Sequence, residues 1–181
     1  MTFPFPFLAL ERTLGSPVTA VQVTLDTNAS VTGAANTRVW FNSNLLTGSG
    51  TQIRVTLANS TALTLGIGSM YVGTAALSGN FYDFAGDQVR LLFGGAGSVT
   101  IPTSGPVVSD WADFAFNSSR PLVLAYLRTG SGGDRRKTSG LSADYRLAYN
   151  SLATDDSSNT TVSGYSSLNG AITTVTKIEV R

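Results

Sequence analysis

The chain contains no cysteine and no histidine among its 181 residues. Without cysteine no disulfide forms, so the fold rests on packing alone and needs no oxidising compartment. Histidine is the usual general base beside a serine nucleophile and the commonest transition-metal ligand. Its absence excludes Ser-His-Asp hydrolysis and zinc sites of the ordinary kinds. We therefore expect no enzyme, no cofactor and no metal. Charge is scarce as well: Asp, Glu, Lys and Arg make up 13% of the chain, about half the usual share. With 12 basic and 11 acidic residues no global field steers a polyanion, so nucleic acid is not an expected partner.

Also missing are a long amphipathic helix and an apolar run long enough to cross a bilayer, so no membrane insertion is expected. Short segments of period-two alternation stand in their place, separated by Gly, Asn, Ser and Pro. Ile53, Val55 and Leu57 alternate with Gln52, Arg54 and Thr56, and the pattern recurs at spacings that suit an antiparallel β-sandwich of jelly-roll type. Strands are expected near 19–25, 37–41, 52–58, 63–72, 89–93, 98–101, 111–116, 122–127, 143–149, 160–165 and 172–180. Residues 1–15 read as an extended apolar arm and 16–181 as one all-β domain. The stretch 129–140, rich in Gly and Ser, reads as a long mobile loop inside that domain.

The arm carries Phe3, Phe5, Phe7 and Leu8 alternating with Pro4 and Pro6. Proline fixes an extended backbone, and rings on one side fill a groove. That groove belongs either to its own sandwich or to a neighbouring protein. With no basic n-region and with Glu11 and Arg12 close behind, the arm is not read as a secretion signal.

Three clusters are candidates for contact. The segment 78–87 gathers Phe81, Tyr82 and Phe84 with Asp83 and Asp87, and rings beside carboxylate acceptors are what a carbohydrate site uses. The alternative is a hydrophobic plug at the end of the sandwich. Trp111 follows an Asx-type turn at Ser109-Asp110 and is either buried or displayed as a stacking platform. Arg135, Arg136 and Lys137 form the one dense basic cluster, which either grips an acidic glycan, a neighbouring subunit or nucleic acid or stands solvated at a loop tip. Gly94 and Gly95 are read as a turn rather than an anion cradle.

Residues 51–128 resemble a known module. Gln52-Ile53-Arg54-Val55-Thr56-Leu57-Ala58-Asn59, then Leu63-Thr64-Leu65-Gly66, then Leu92-Phe93-Gly94-Gly95, Ser98-Val99-Thr100-Ile101-Pro102, Val107-Val108-Ser109-Asp110 and Pro121-Leu122-Val123-Leu124 follow in order. This order is similar to that of the non-catalytic β-sandwich preceding the catalytic domain of SGNH (GDSL-type) esterases. The resemblance implies a sandwich fold and a carbohydrate setting, with Asn59, Gly66, Gly94, Gly95, Ser109 and Asp110 as structural positions. It carries over no catalytic residue, because the family's Gly-Asp-Ser block and its Asp-x-x-His are both absent. Trp111 stands where that module commonly has proline.

A cysteine-free sandwich with an exterior-type surface, starting at Met1 without a secretion signal, suits a phage or phage-like particle, whose proteins fold in the cytoplasm and leave by lysis. The expectation is a virion accessory protein: an oligomeric spike, fibre or decoration subunit. It would meet other virion proteins through the arm and touch cell-surface glycan. The alternative is a carbohydrate-binding accessory module of a secreted bacterial esterase system.

Overall fold

The alternation in 52–58 becomes strand β4 (Ser49–Leu57), with Ile53, Val55 and Leu57 fully buried and their neighbours half-exposed. The computed structural model describes residues 15–181, so Phe3, Phe5, Phe7 and Leu8 lie outside the described residues. Within the described residues every named strand pairing is antiparallel, and the helical content is one 3-10 turn at Ser43–Leu45. The all-β expectation is met.

Three sheets make up the fold. In the first, β4 is flanked by β15 (Val175–Val180), which pairs in turn with β1 (Val18–Gln22); the short β8 (Val107–Val108) and β9 (Ala112–Asn117) lie on the other side of β4. The second sheet runs β13 (Ser166–Asn169), β12 (Tyr145–Asn150), β3 (Ala35–Phe41), β10 (Leu122–Thr129), β5 (Leu65–Thr74) and β6 (Val89–Arg90), with β7 (Val99–Ile101) also on β5. The third orders β14 (Ile172–Thr173), β11 (Gly132–Lys137) and β2 (Thr27–Val31). Successive strands repeatedly change sheet, the interleaving that a jelly-roll type of sandwich requires.

Side chains from all three sheets meet in one core. Val39, Phe41, Met70, Val72, Leu122 and Leu124 of the large sheet join Ile53, Val55, Leu57, Ile178 and Val180 of the first, with Val31 and Ile172 of the third. Register sets this up: Leu124 stands opposite both Val39 and Val72, so three inward side chains form one row across the sheet.

The centre of the large sheet is buried on its other face too. All seven residues of β3 are buried, and its outward residues Asn36, Arg38 and Trp40 hold the two segments that cover them. Arg38 is completely buried. One terminal nitrogen donates to the carbonyl of Tyr82 at 2.9 Å, and the other to those of Asp156 and Asn159 at 3.1 and 2.6 Å. Its guanidinium also lies 4.7 Å over the Phe84 ring. Asn36 adds bonds to the carbonyls of Leu152 and Thr154 and accepts from the Asp156 amide. Burial pulls the Arg38 pKa down, opposed by Tyr165, Asp156 and Asp83; arginine stays protonated even so.

Two expectations are corrected. Residues 129–140 are not a mobile loop: β10 continues to Thr129, and Gly132–Lys137 is the central strand of the third sheet. Gly132 and Gly133 serve close approach rather than flexibility. A Cβ on Gly133 would stand 2.5 Å from Ser60 Cβ and 2.7 Å from the Leu63 carbonyl oxygen, so a side chain would displace the strand. Residues 160–165 are not a strand. Their backbone instead ties down the 75–88 segment, the Thr160 carbonyl accepting from Phe84 N–H at 2.8 Å and Val162 N–H donating to Asp83 at 3.1 Å.

Replacing Arg38 by alanine would leave the carbonyls of Tyr82, Asp156 and Asn159 without their donor beneath two loops. We expect a loss of about 1–3 kcal/mol, the range for a buried acceptor left unpaired, measured by urea unfolding. A loss of a few tenths would show that the loops hold without it.

Candidate functional site

Inward-pointing positions of the large sheet are apolar at depth and turn polar at one end. Along β10 the inward row runs Leu122, Leu124, Tyr126, Arg128; along β3 it passes from Phe41 and Val39 to Thr37 and Ala35. The facing wall is the third sheet. Between them lies a cleft of about 270 Å³, lined by Thr37, Arg128, Leu147 and Tyr149 on one side and Val31, Asp134, Arg136 and Thr173 on the other, with Leu168 at its rim. The mouth of a β-structure, where paired sheets stop packing, is a common place for ligands.

Asp134 organises this cleft from beneath. It is only 4% exposed. One carboxylate oxygen accepts from the hydroxyls of Thr173 and of Thr174, the latter at 3.1 Å. The other takes the Arg136 Nε at 2.7 Å. Thr174 supplies its hydroxyl from an unusual conformation, with φ 62°, unique among the non-glycine residues described. A β-branched residue there is strained, and such strain gathers where a site is held in place. Tyr126 lies behind, its hydroxyl 3.3 Å from that of Thr174; burial, then the Asp134 charge, drives its pKa upward, so the phenol stays neutral.

Val31, Ala35, Leu147, Tyr149 and Leu168 give the cleft its apolar surface, set among the hydroxyls of Ser30, Thr32 and Ser151. Tyr149 is 40% exposed and Leu168 44%, an unusual amount for side chains that extend an inward row. Arg128 reaches back to the carbonyls of Gly33 and Thr32 at 3.3 and 3.4 Å. The arrangement suits a ring-shaped polar ligand: an apolar wall for one face, and guanidinium and hydroxyl groups for its oxygens.

The residues expected from sequence are distributed differently. Of the basic cluster, Arg136 enters the cleft, Arg135 points to the opposite face of β11 beside Ala58, and Lys137 pairs with Asp26 at 2.7 Å. Phe81, Tyr82 and Asp83 sit over the outer face of the large sheet. Asp83 is buried and accepts from Asn80 and Val162, and Tyr82 stacks on Tyr165 at 5.2 Å. Phe81 is half-buried, edge-on to Trp40 at 6.0 Å and beneath Arg146. Trp111 lies across the molecule on the outer face of the first sheet, where Arg54 and Arg181 stand 4.6 and 4.3 Å over its ring. It does not join Phe81, Tyr82 and Asp83 in one site. The amides of Gly94 and Gly95 are taken by Asp110 at 3.1 and 2.7 Å, which makes this a closed turn.

Sequence reasoning missed Asp134, Arg128, Tyr149 and Leu168 as site residues. A signal existed in β11: Asp134 and Arg136 share one face by period two while Arg135 and Lys137 share the other. The linker-like composition of the segment hid it. Among the described residues no group of three or more acidic side chains is placed to hold a metal ion. Nor is any helix among them long and apolar enough to cross a membrane. The chain matches no family model and no curated protein.

Near Trp111, Glu179 is bound by Arg54 at 2.9 Å and Lys177 at 3.0 Å. Burial raises its pKa, but these hydrogen bonds and charges outweigh that and hold it below the ordinary 4.5. A depressed carboxylate pKa contributes stability that is complete above the unfolded value and lost as pH falls through the folded one. The stability gap between the wild type and Glu179→Gln should therefore be full at neutral pH and shrink below pH 4.5. A gap that stays constant in acid denaturation curves would contradict this.

Proposed function

We propose that the protein is a non-catalytic accessory subunit of a phage or phage-like particle, a spike, fibre or decoration protein that contacts host-surface carbohydrate through the cleft between β10, β11 and β12. The observation that carries this reading is the cleft itself: an exposed Tyr149 ring and Leu168 beside two arginines and a row of hydroxyls, in a sandwich with no histidine. Carbohydrate recognition uses this pairing, since rings cover the apolar face of a sugar while charged and hydroxyl groups engage its oxygens.

The particle setting draws on composition. A cysteine-free chain whose polarity comes from Ser, Thr, Asn and Gly rather than charge suits a protein displayed outside a cell after folding inside one. In this reading the subunits form homo-oligomers, and the segment bearing Phe3, Phe5, Phe7 and Leu8 joins them to other virion proteins. The esterase-module resemblance of residues 51–128 favours a second setting, a secreted esterase system, with the same binding cleft.

The test is binding of purified protein to host cells or to their isolated polysaccharide. Tyr149→Ala, made at a half-exposed position, should keep its fold and lose one stacking contact worth on the order of 1 kcal/mol, a weakening of roughly fivefold. Leu168→Ala should weaken binding in the same direction. Unchanged binding by both folded variants would reject the cleft as the contact surface.

A further inference from the structure

Resting on that carbohydrate reading, we infer that the cleft selects an acidic sugar, one whose carboxylate is gripped by Arg136 with Arg128 beside it. The charged side chains lining the cleft are Arg128, Arg136 and Asp134, an excess of one positive charge in a chain otherwise nearly neutral. Asp134 is already engaged on both oxygens, one by the threonine hydroxyls and the other by Arg136 Nε. It is therefore a poor acceptor for sugar hydroxyls, and its role is positional.

The consequence falls on Arg136. A guanidinium held by its Nε keeps the two terminal nitrogens, and they take no acceptor from the described residues. Two parallel N–H donors at fixed spacing match the two oxygens of a carboxylate, a geometry that a neutral hydroxyl uses only by half. Arg128 makes only long contacts to Gly33 and Thr32 and adds a second cation to the same space. Asp134 offsets one of the two cations; a neutral sugar leaves the other without a counter-charge, and a carboxylated one supplies it. The Tyr149 ring and Leu168 then cover the sugar body.

Calorimetric titration with a uronic-acid oligosaccharide and with its fully methyl-esterified form reads the inference as a ratio of two affinities. The wild type should bind the acid form roughly tenfold or more tightly, the scale of a charge-assisted pair, and the ratio should fall as salt rises. Arg136→Gln should collapse the ratio toward one. Because it also removes a partner of Asp134 and risks the fold, Arg128→Gln, which leaves that pair intact, should lower the ratio independently. Arg135→Gln, on the other face of β11, should leave it unchanged.

Equal wild-type affinity for the two forms would overturn the acidic preference while leaving carbohydrate binding standing. So would a ratio that collapses in Arg135→Gln instead, since the anion would then be read on the far face of the strand. Binding of neither form, with none to host polysaccharide, would remove the carbohydrate reading and this inference together.

Discussion

A buried cation on the outside of a β-sheet is the constraint around which this molecule is arranged. Arg38 occupies a position that in an ordinary sandwich faces water, and here it has none. Removing a guanidinium from water is costly unless every donor direction is met. Three carbonyls and the Phe84 ring meet most of them, although Nε remains without an acceptor. Those carbonyls come from two segments far apart in sequence, 75–88 and 151–165, so one side chain locks both against the sheet. Asn36 and Trp40, two residues to either side on the same strand, extend the contact to Thr154 and Phe81. The result is a sheet whose central strands are buried on both faces.

Sealing that face takes its side chains out of play as a contact surface. Phe81, Tyr82 and Asp83 have the residue types of a sugar site, but they serve the cover: Asp83 joins the two covering segments, and Tyr82 gives its carbonyl to Arg38 and its ring to Tyr165. On the opposite side Trp111 is occupied by Arg54 and Arg181. The end of the interior stays open, where the inward rows of β10 and β12 run past the packed core and finish in Arg128 and Tyr149. Asp134, fixed by two threonines, presents Arg136 there. The proposed contact surface is thus made of side chains whose direction the core has set but whose chemistry the core has not used.

How far the sequence reveals this depends on which force governs each segment. Where burial on one face dominates, as in β4, the alternation of Ile53, Val55 and Leu57 is enough to place the strand. In β11 tertiary contact dominates instead. Gly132 and Gly133 look like linker residues, yet they permit a close approach to the 60–65 segment that no local pattern announces. Residues 160–165 show the converse: Val162 and Tyr165 suit a strand, but their groups are spent on Asp83 and Asp156. The cleft was hidden for the same reason. Its residues come from β2, β3, β10, β11, β12, β13 and β14, and only the sheet registers bring them together. Single-residue features such as a Phe-rich loop or a lone Trp are visible in sequence, whereas a site made by the meeting of two sheets is not.

The most direct measurement is amide chemical-shift mapping of the protein titrated with host-surface polysaccharide. The account predicts that perturbed resonances cluster on Thr37, Arg128, Asp134, Arg136, Tyr149 and Leu168, with those of Tyr82, Asp83 and Trp111 unmoved. Perturbations centred on the Phe81–Phe84 cover or on Trp111, with the cleft silent, would contradict it.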